Sequence, residues 1–257
     1  VALHRLLQFG KHFLRKRSKR SVHSPFVFEM LEKVWPDSFH RNLGMAQTYR
    51  STLLGDETPI QLSTFGATHR PKPVKKPINE VVLQSSISPQ QARFLMRLVD
   101  YLKPDRILEF GTHLGVSTAF LRAGHRAGEF ITVEAHKPYA DRASFQLNTA
   151  FKNVPKVINT TFDAWLEQAN GQAFDFIFLD GHHTEEATLR YADALLKRLH
   201  PGGALVLHDI HWSAGMTRAW STLWARQDLT LCIDTYDLGL IWPVREQARE
   251  RFYLPRP

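Results

Sequence analysis

Four short stretches hold the residues whose types and spacing could do chemistry. The first is Glu109-Phe110-Gly111-Thr112-His113-Leu114-Gly115-Val116-Ser117, an acid placed two residues ahead of a glycine turn. The second is Glu134-Ala135; the others are Asp180-Gly181-His182-His183 and His208-Asp209-Ile210-His211. Carboxylates that end neighbouring strands suit a ligand rich in hydroxyls and amines. Carboxylates grouped with imidazoles can bind a divalent cation, supply a general base, or both.

Each stretch closes a short apolar run, at 106–110, 130–134, 174–180 and 204–209. Such runs read as buried strands, and the polar residues after them belong at the strand ends where open α/β sheets bind ligands. The first run leads through glycines into a helix start. A dinucleotide fold would want G-x-G-x-x-G there, but His113 stands where the second glycine should be, so a nicotinamide oxidoreductase fits poorly.

On these residues the chain resembles the class I S-adenosylmethionine-dependent methyltransferases. The resemblance implies that Glu109, Gly111 and Gly115 form the first motif and that Glu134 holds the ribose hydroxyls of S-adenosylmethionine. Thr112, His113, Ser117, Ala135 and Asp180 complete the expected cofactor contacts. The adenine end in this family meets residues between the third and fourth strands. There Phe162 could stack and Asp163 could accept from the amine; alternatively Phe162 is core and Asp163 caps a helix over 164–169.

The run Phe174-Asp175-Phe176-Ile177-Phe178-Leu179-Asp180-Gly181-His182-His183 looks like the fourth motif of small-molecule O-methyltransferases. In metal-dependent members an Asp here is a ligand, which implies a tentative Mg²⁺ site at Asp180 and Asp209. Macrolide-sugar O-methyltransferases are similar in carrying a His three residues after that Asp as base, a position held by His183. His183, Asp180 and Asp209 are therefore the expected catalytic residues. His208 stands where the metal enzymes have an acid, and Ile210 where catechol-type enzymes have Asn. His208 and His211 are expected as supporting or packing residues.

A wider resemblance, to a group of bacterial small-molecule O-methyltransferase-like proteins, rests on several segments. They are Val22-His23-Ser24-Pro25-Phe26-Val27-Phe28, Phe65-Gly66-Ala67, Asp209-Ile210-His211-Trp212-Ser213-Ala214-Gly215-Met216 and Ala219-Trp220. The His-Ser-Pro-Phe and Phe-Gly-Ala segments could cover the active site as a lid or simply anchor loops.

The elements that must position these residues alternate strand and helix from Arg106 onward. The expected class is α/β: a doubly wound, Rossmann-like methyltransferase sheet with helices on both faces and a small helical N-terminal region. Weak strand signal lies at 157–159, and two last strands fall at 231–234 and 238–242. The fold family adds an antiparallel final hairpin. Helices are expected over 26–35, 42–54, 88–102, 184–199 and 216–226. Arg70-Pro71-Lys72-Pro73-Val74-Lys75-Lys76-Pro77, three prolines among cations, reads as a loop. The expected division is a helical N-terminal region over 1–92, with lid or substrate-side elements, and a cofactor-binding catalytic domain over 93–257.

Composition is that of a soluble globular protein, with 43% hydrophobic and 23% charged residues in 257. The single cysteine, Cys232, excludes an internal disulfide and reads as a buried strand thiol. No apolar run approaches the roughly 18 residues that span a bilayer, and no secretory signal is visible, so a cytoplasmic protein is expected. Net charge is +8, and residues 1–24 hold Arg5, Lys11, Arg15, Lys16, Arg17, Lys19 and Arg20 without an acid. Leu3, Leu6, Leu7, Phe13 and Leu14 would give a helix there an apolar side. The leading expectation is a solvated helix packed on the domain; contact with an anionic membrane or nucleic acid is the alternative.

The expected activity is methylation of a hydroxyl on a small or sugar-like acceptor. Two competing readings are a cofactor-binding but inactive scaffold or regulatory protein, and a nucleic-acid or protein methyltransferase recruited by the basic N-terminus. Base N-methyltransferases carry Asn/Asp-Pro-Pro-Tyr after the fourth strand, which Asp180-Gly181-His182-His183 does not match.

Overall fold

The computed structural model describes residues 2–38, 40–63, 74–125, 127–169, 171–244 and 248–257. Eight strands hydrogen-bond in one sheet, flanked by helices: β3 (Arg106–Phe110), β4 (Glu129–Glu134), β5 (Lys156–Asn159), β6 (Phe174–Leu179), β7 (Leu199–His208), β8 (Leu231–Asp234), β9 (Leu238–Trp242) and β10 (Glu250–Tyr253). Their order is β10-β8-β9-β7-β6-β3-β4-β5, and β9 runs antiparallel to both neighbours. This is the expected α/β sheet with its antiparallel final hairpin. Its middle strands are apolar on both faces, as parallel strands covered by helices must be. Contacts divide the chain into two compact units, Lys33–Asn170 and Val1–Glu32 with Gly171–Pro257. Residues 1–92 are thus shared between the two units, and each is described separately.

In the Lys33–Asn170 unit, β3, β4 and β5 pair in parallel. Helix α5 (Pro89–Leu102) is set by its sequence. Ser88 accepts from the Gln91 amide while the Gln91 side chain accepts from the Ser88 amide, and Pro89 occupies the first helical position. Phe94, Leu95, Leu98 and Val99 are its buried face, as the periodicity predicts. α5 packs on α6 (Val116–Gly124), the helix that follows the glycine turn, and α3 (Leu43–Leu54) packs on α6 as well.

Two elements here depart from expectation. Lys75–Pro77, the end of the proline-rich run, pairs antiparallel with Pro59–Gln61 as a two-strand ribbon, β1 and β2. A two-strand ribbon has free edges, where an absent proline N–H leaves no ladder bond broken. A helix, α4 (Ile78–Ser85), follows at once and buries Ile78, Val81 and Val82. Residues 70–73 of the proline run and Phe65-Gly66-Ala67 lie outside the described residues. The other helices of this unit are α7 (Lys137–Ala150) and α8 (Phe162–Gln168).

The second unit carries β6 through β10 with α1 (Ala2–Arg15), α2 (Pro25–Lys33), α9 (Glu185–Leu196) and α10 (Ala214–Ala225). Thr184 and Ser213 cap α9 and α10 by accepting from the amides of Ala187 and Met216. Glu185 and Glu186 in the first turn of α9 complement its dipole. In the Val22–Phe28 segment, Phe26 packs edge-on against Trp242 at 5.3 Å between ring centroids. Among the described residues no helix is long and apolar enough to cross a membrane.

Candidate functional site

The glycine turn of the Lys33–Asn170 unit is built from backbone that only certain residues adopt. Gly111 and Gly115 have φ of 106° and 77°, and His113 between them has φ of 50°. The amides of Gly111 and Thr112 donate to the Val133 carbonyl at 3.0 and 3.3 Å, pinning the turn to β4. Gly115 admits no side chain, because a Cβ there would lie on the Tyr49 hydroxyl. That hydroxyl donates to the Leu114 carbonyl at 2.9 Å, so α3 braces the turn.

Glu134 closes the other side. Its carboxylate accepts from the amides of His113 (2.8 Å) and His136 (2.7 Å), one on each oxygen. Burial pushes this carboxyl up from its ordinary value, and the amide hydrogen bonds oppose that rise. Asn159 donates to the carbonyls of Glu134 and Ala135 and fixes the turn after β4. Each carboxylate oxygen keeps a second lone pair, so Glu134 can still accept from hydroxyls of a bound molecule. Ala135 beside it is half-buried.

Glu109 differs from what the motif implies at first sight. It is fully buried, and its carboxylate accepts from the hydroxyls of Ser117 (2.6 Å), Thr118 and Thr132 (2.7 Å). Thr112 and Thr132 share a further hydroxyl–hydroxyl bond of 2.6 Å. In this geometry Glu109 and Ser117 lock the strand end to the first turn of α6. Phe162 is 7% exposed and stacks on Phe110 at 4.4 Å, with Trp165 edge-on to the same ring. The core alternative therefore describes that ring face. Asp163 lies in the first turn of α8, but Thr161 is the residue that caps it, accepting from Ala164.

In the other unit the ends of β6 and β7 bring Asp180, His183, His208 and Asp209 together. His208 Nδ1 lies 2.9 Å from Asp180 Oδ1 and 3.8 Å from Asp209 Oδ2. His183 Nε2 lies 3.4 Å from the same Asp180 oxygen. His182, His183 and Asp209 all have left-handed φ, a strained conformation for non-glycine residues that is enriched at functional sites. Burial alone would raise the Asp180 carboxyl, but the imidazoles of His208 and His183 outweigh it and hold it below the carboxylate range. Burial opposes charge on His208, yet Asp180 and Asp209 raise it to about 9. His208 Nε2 and His183 Nδ1 are buried and meet no partner.

The tentative Mg²⁺ site has its two carboxylates, Asp180 and Asp209, on these strand ends, with His208 Nδ1 2.9 and 3.8 Å from them. Mg²⁺ demands a near-octahedral set of oxygen ligands. Here the two carboxylates share their surroundings with the rings of His208 and His183. Among the described residues no group of three or more His, Cys, Asp or Glu is placed to hold a metal. His208, which stands where the metal enzymes have an acid, turns its Nδ1 to Asp180. His211 has a supporting place as expected: its Nε2 lies 2.9 Å from the buried Asp234, which also accepts from Trp220 Nε1 at 2.8 Å. Cys232 is fully buried in β8 and burial pushes its thiol up to about 12, so it is no nucleophile.

Residues 108–210 match a family model described as a methyltransferase domain. A catechol O-methyltransferase of Mycobacterium tuberculosis is 26% identical over 171 residues, 65% of this chain and 71% of that protein. Solved structures share the fold at lower identity. An O-methyltransferase from Bacillus cereus in complex with SAH superposes with a TM-score of 0.55 at 19% identity, covering 84% of this chain and 97% of that one. The O-methyltransferase TomG from Streptomyces achromogenes, in complex with SAM, gives 0.56 at 17% identity, covering 89% and 100%. SAH-bound methyltransferase PaMTH1 from Podospora anserina gives 0.58 at 15%, covering 86% and 96%.

Proposed function

We propose that this chain, a class I S-adenosylmethionine-dependent methyltransferase, methylates a hydroxyl group of a small molecule. The observation that carries the reading is the Gly111–Gly115 turn with the Glu134 carboxylate held against its amides, inside the segment that matches the methyltransferase domain. S-adenosylmethionine supplies an activated methyl group on a sulfonium, which an oxygen nucleophile displaces in line. The catechol O-methyltransferase relative and the O-methyltransferase neighbours support a small-molecule acceptor.

Within this reading Glu134 accepts from the ribose hydroxyls, and the left-handed backbone of Gly111, His113 and Gly115, with Thr112 in the same turn, lets the cofactor approach the main chain. Glu109 and Ser117 act by holding that backbone in place. Ala135 and Asp163 are assigned to the nucleoside end, with Phe162 backing them as core.

The acceptor proton falls to His183. Asp180, 3.4 Å from its Nε2, supports the part-exposed ring as it takes a hydroxyl proton while the oxygen attacks the methyl carbon. The C–S bonding electrons then stay on sulfur. His208, held charged between Asp180 and Asp209, offsets the negative charge of both and keeps Asp180 ionised. Positioning supplies much of the remaining rate.

The test is calorimetric titration with S-adenosylmethionine, S-adenosylhomocysteine and NAD, each with and without Mg²⁺, followed by a screen of phenolic and sugar-like acceptors. Binding of the first two alone, with turnover indifferent to Mg²⁺, is expected. Glu134→Ala should weaken cofactor binding by about ten- to a hundred-fold, the worth of one or two hydrogen bonds to a charged group. Failure of either nucleoside to bind would remove the reading.

A further inference from the structure

Helix α1 is docked the wrong way round for a packed amphipathic helix. Its inward residues are polar or mixed. His4 Nε2 lies 3.0 Å from Thr217 Oγ1, and Arg5 stacks over Trp212 at 4.7 Å. Phe9 meets Tyr236 edge-on, and the 4%-exposed His12 lies between Asp234 and the Leu254 carbonyl. The opposite side carries Leu3, Leu6, Leu7, Phe13 and Leu14 at i, i+3, i+4, i+10 and i+11, one continuous helical stripe. These five side chains are 70%, 68%, 57%, 55% and 86% exposed. Contiguous exposed apolar surface of this kind marks an interaction site.

Charge says what covers it. Residues 1–24 contain no acid, and Lys11, Lys16, Arg17 and Arg20 are exposed and pair with no carboxylate among the described residues. Lys16 lies 4.0 Å over the Phe13 ring, so a cation borders the apolar stripe. Lys19 is the cation of this segment that finds an acid, Glu32 at 2.6 Å. A second copy would bring like charges together along the seam. A nucleic acid would satisfy the cations and leave the Leu stripe in water. A bilayer with anionic headgroups meets both demands, apolar residues below the headgroups and cations among them.

We propose that α1 is an interfacial helix that seats this protein on an anionic lipid surface, its Leu3–Leu14 stripe inserted and its cations at the headgroups. Polar docking on the protein side fits this role, because the apolar face is left free.

Flotation of the full chain with phosphatidylcholine vesicles, and with vesicles of equal parts phosphatidylcholine and phosphatidylglycerol, tests it. Binding to the anionic vesicles, weakened by salt and about five-fold per cation in Lys11→Gln, Lys16→Gln and Arg20→Gln, is expected. A Leu3→Gln, Leu7→Gln, Leu14→Gln variant should lose binding while its unfolding midpoint holds, since these side chains are exposed. Leu7→Trp adds a readout independent of folding losses, a blue shift of its fluorescence on the anionic vesicles alone. The proposal is overturned if neither vesicle binds, if the triple Leu variant binds as well as the parent, or if the stripe instead drives concentration-dependent self-association.

Discussion

His183 and His208 touch the same Asp180 oxygen but are set up for different tasks. His208 is 9% exposed and answers to Asp180, Asp209 and Asp237, so it carries a proton well above neutral pH. His183 Nε2 stands at a longer 3.4 Å from Asp180, and its Nδ1 is buried without a hydrogen-bond partner. The division is the usual one between a fixed charge and a proton acceptor. Asp180→Asn would remove the anchor of both rings, and His183→Ala the acceptor itself. Each should lower kcat by about 10²- to 10⁴-fold. Cofactor affinity should mostly survive in His183→Ala. His208→Gln separates charge from orientation: kcat falls while KM for the cofactor holds. Steady-state kinetics with isothermal titration on the same variants reads both quantities, and unchanged turnover in His183→Ala sinks the assignment.

At the scale of elements, the turn between β3 and α6 is held from three directions: β4 through Val133, the hydroxyls around Glu109, and Tyr49 from α3. Gly115→Ala combines a left-handed φ with a Cβ on the Tyr49 hydroxyl, so it should destabilise by about 1–3 kcal/mol and weaken cofactor binding with it. Ser88→Ala, which breaks the α5 capping box, should cost about 1 kcal/mol with cofactor affinity unchanged. Urea unfolding of both variants, with and without S-adenosylhomocysteine, distinguishes a turn that binds from one that only supports. These two elements were legible for physical reasons: a capping box and a glycine pair are local signals. The strand ends at Glu134, Asp180 and Asp209 were legible likewise, because apolar runs closed by acids read off one dimension. What was not legible depends on tertiary company. β10 is a polar, half-exposed Glu-Arg-Phe-Tyr segment that is a strand only because β8 offers an edge. β7 begins at Leu199, five residues ahead of the apolar run at 204–209, because Phe174 of β6 pairs there before a shift in register.

For the whole molecule the same groups set how stability follows pH. His208 has an ordinary value near 6.5 unfolded and about 9 folded, so the folded state binds the proton more tightly. Its contribution is full below about pH 6.5 and is lost as pH rises towards about 9, a fall of at most about 3 kcal/mol. Asp234 works in the opposite direction. Burial would raise it, but His12 and His211 hold it below the usual carboxylate range, so its contribution is present above about pH 4 and lost as pH falls further. Global charge cannot produce the alkaline loss. The chain carries +8 at neutral pH, and its self-repulsion weakens as pH approaches the isoelectric point near 9.7. A decline in unfolding free energy between pH 6.5 and 9 must therefore come from specific groups. Denaturant unfolding across that interval should show the decline in the parent and a flatter profile in His208→Gln, while Asp234→Asn loses stability throughout because it leaves His12, His211 and Trp220 short of an acceptor. Parallel profiles for the parent and His208→Gln would mean that the imidazole is not held charged between Asp180 and Asp209, and the account of the proton at His183 would have to be rebuilt without it.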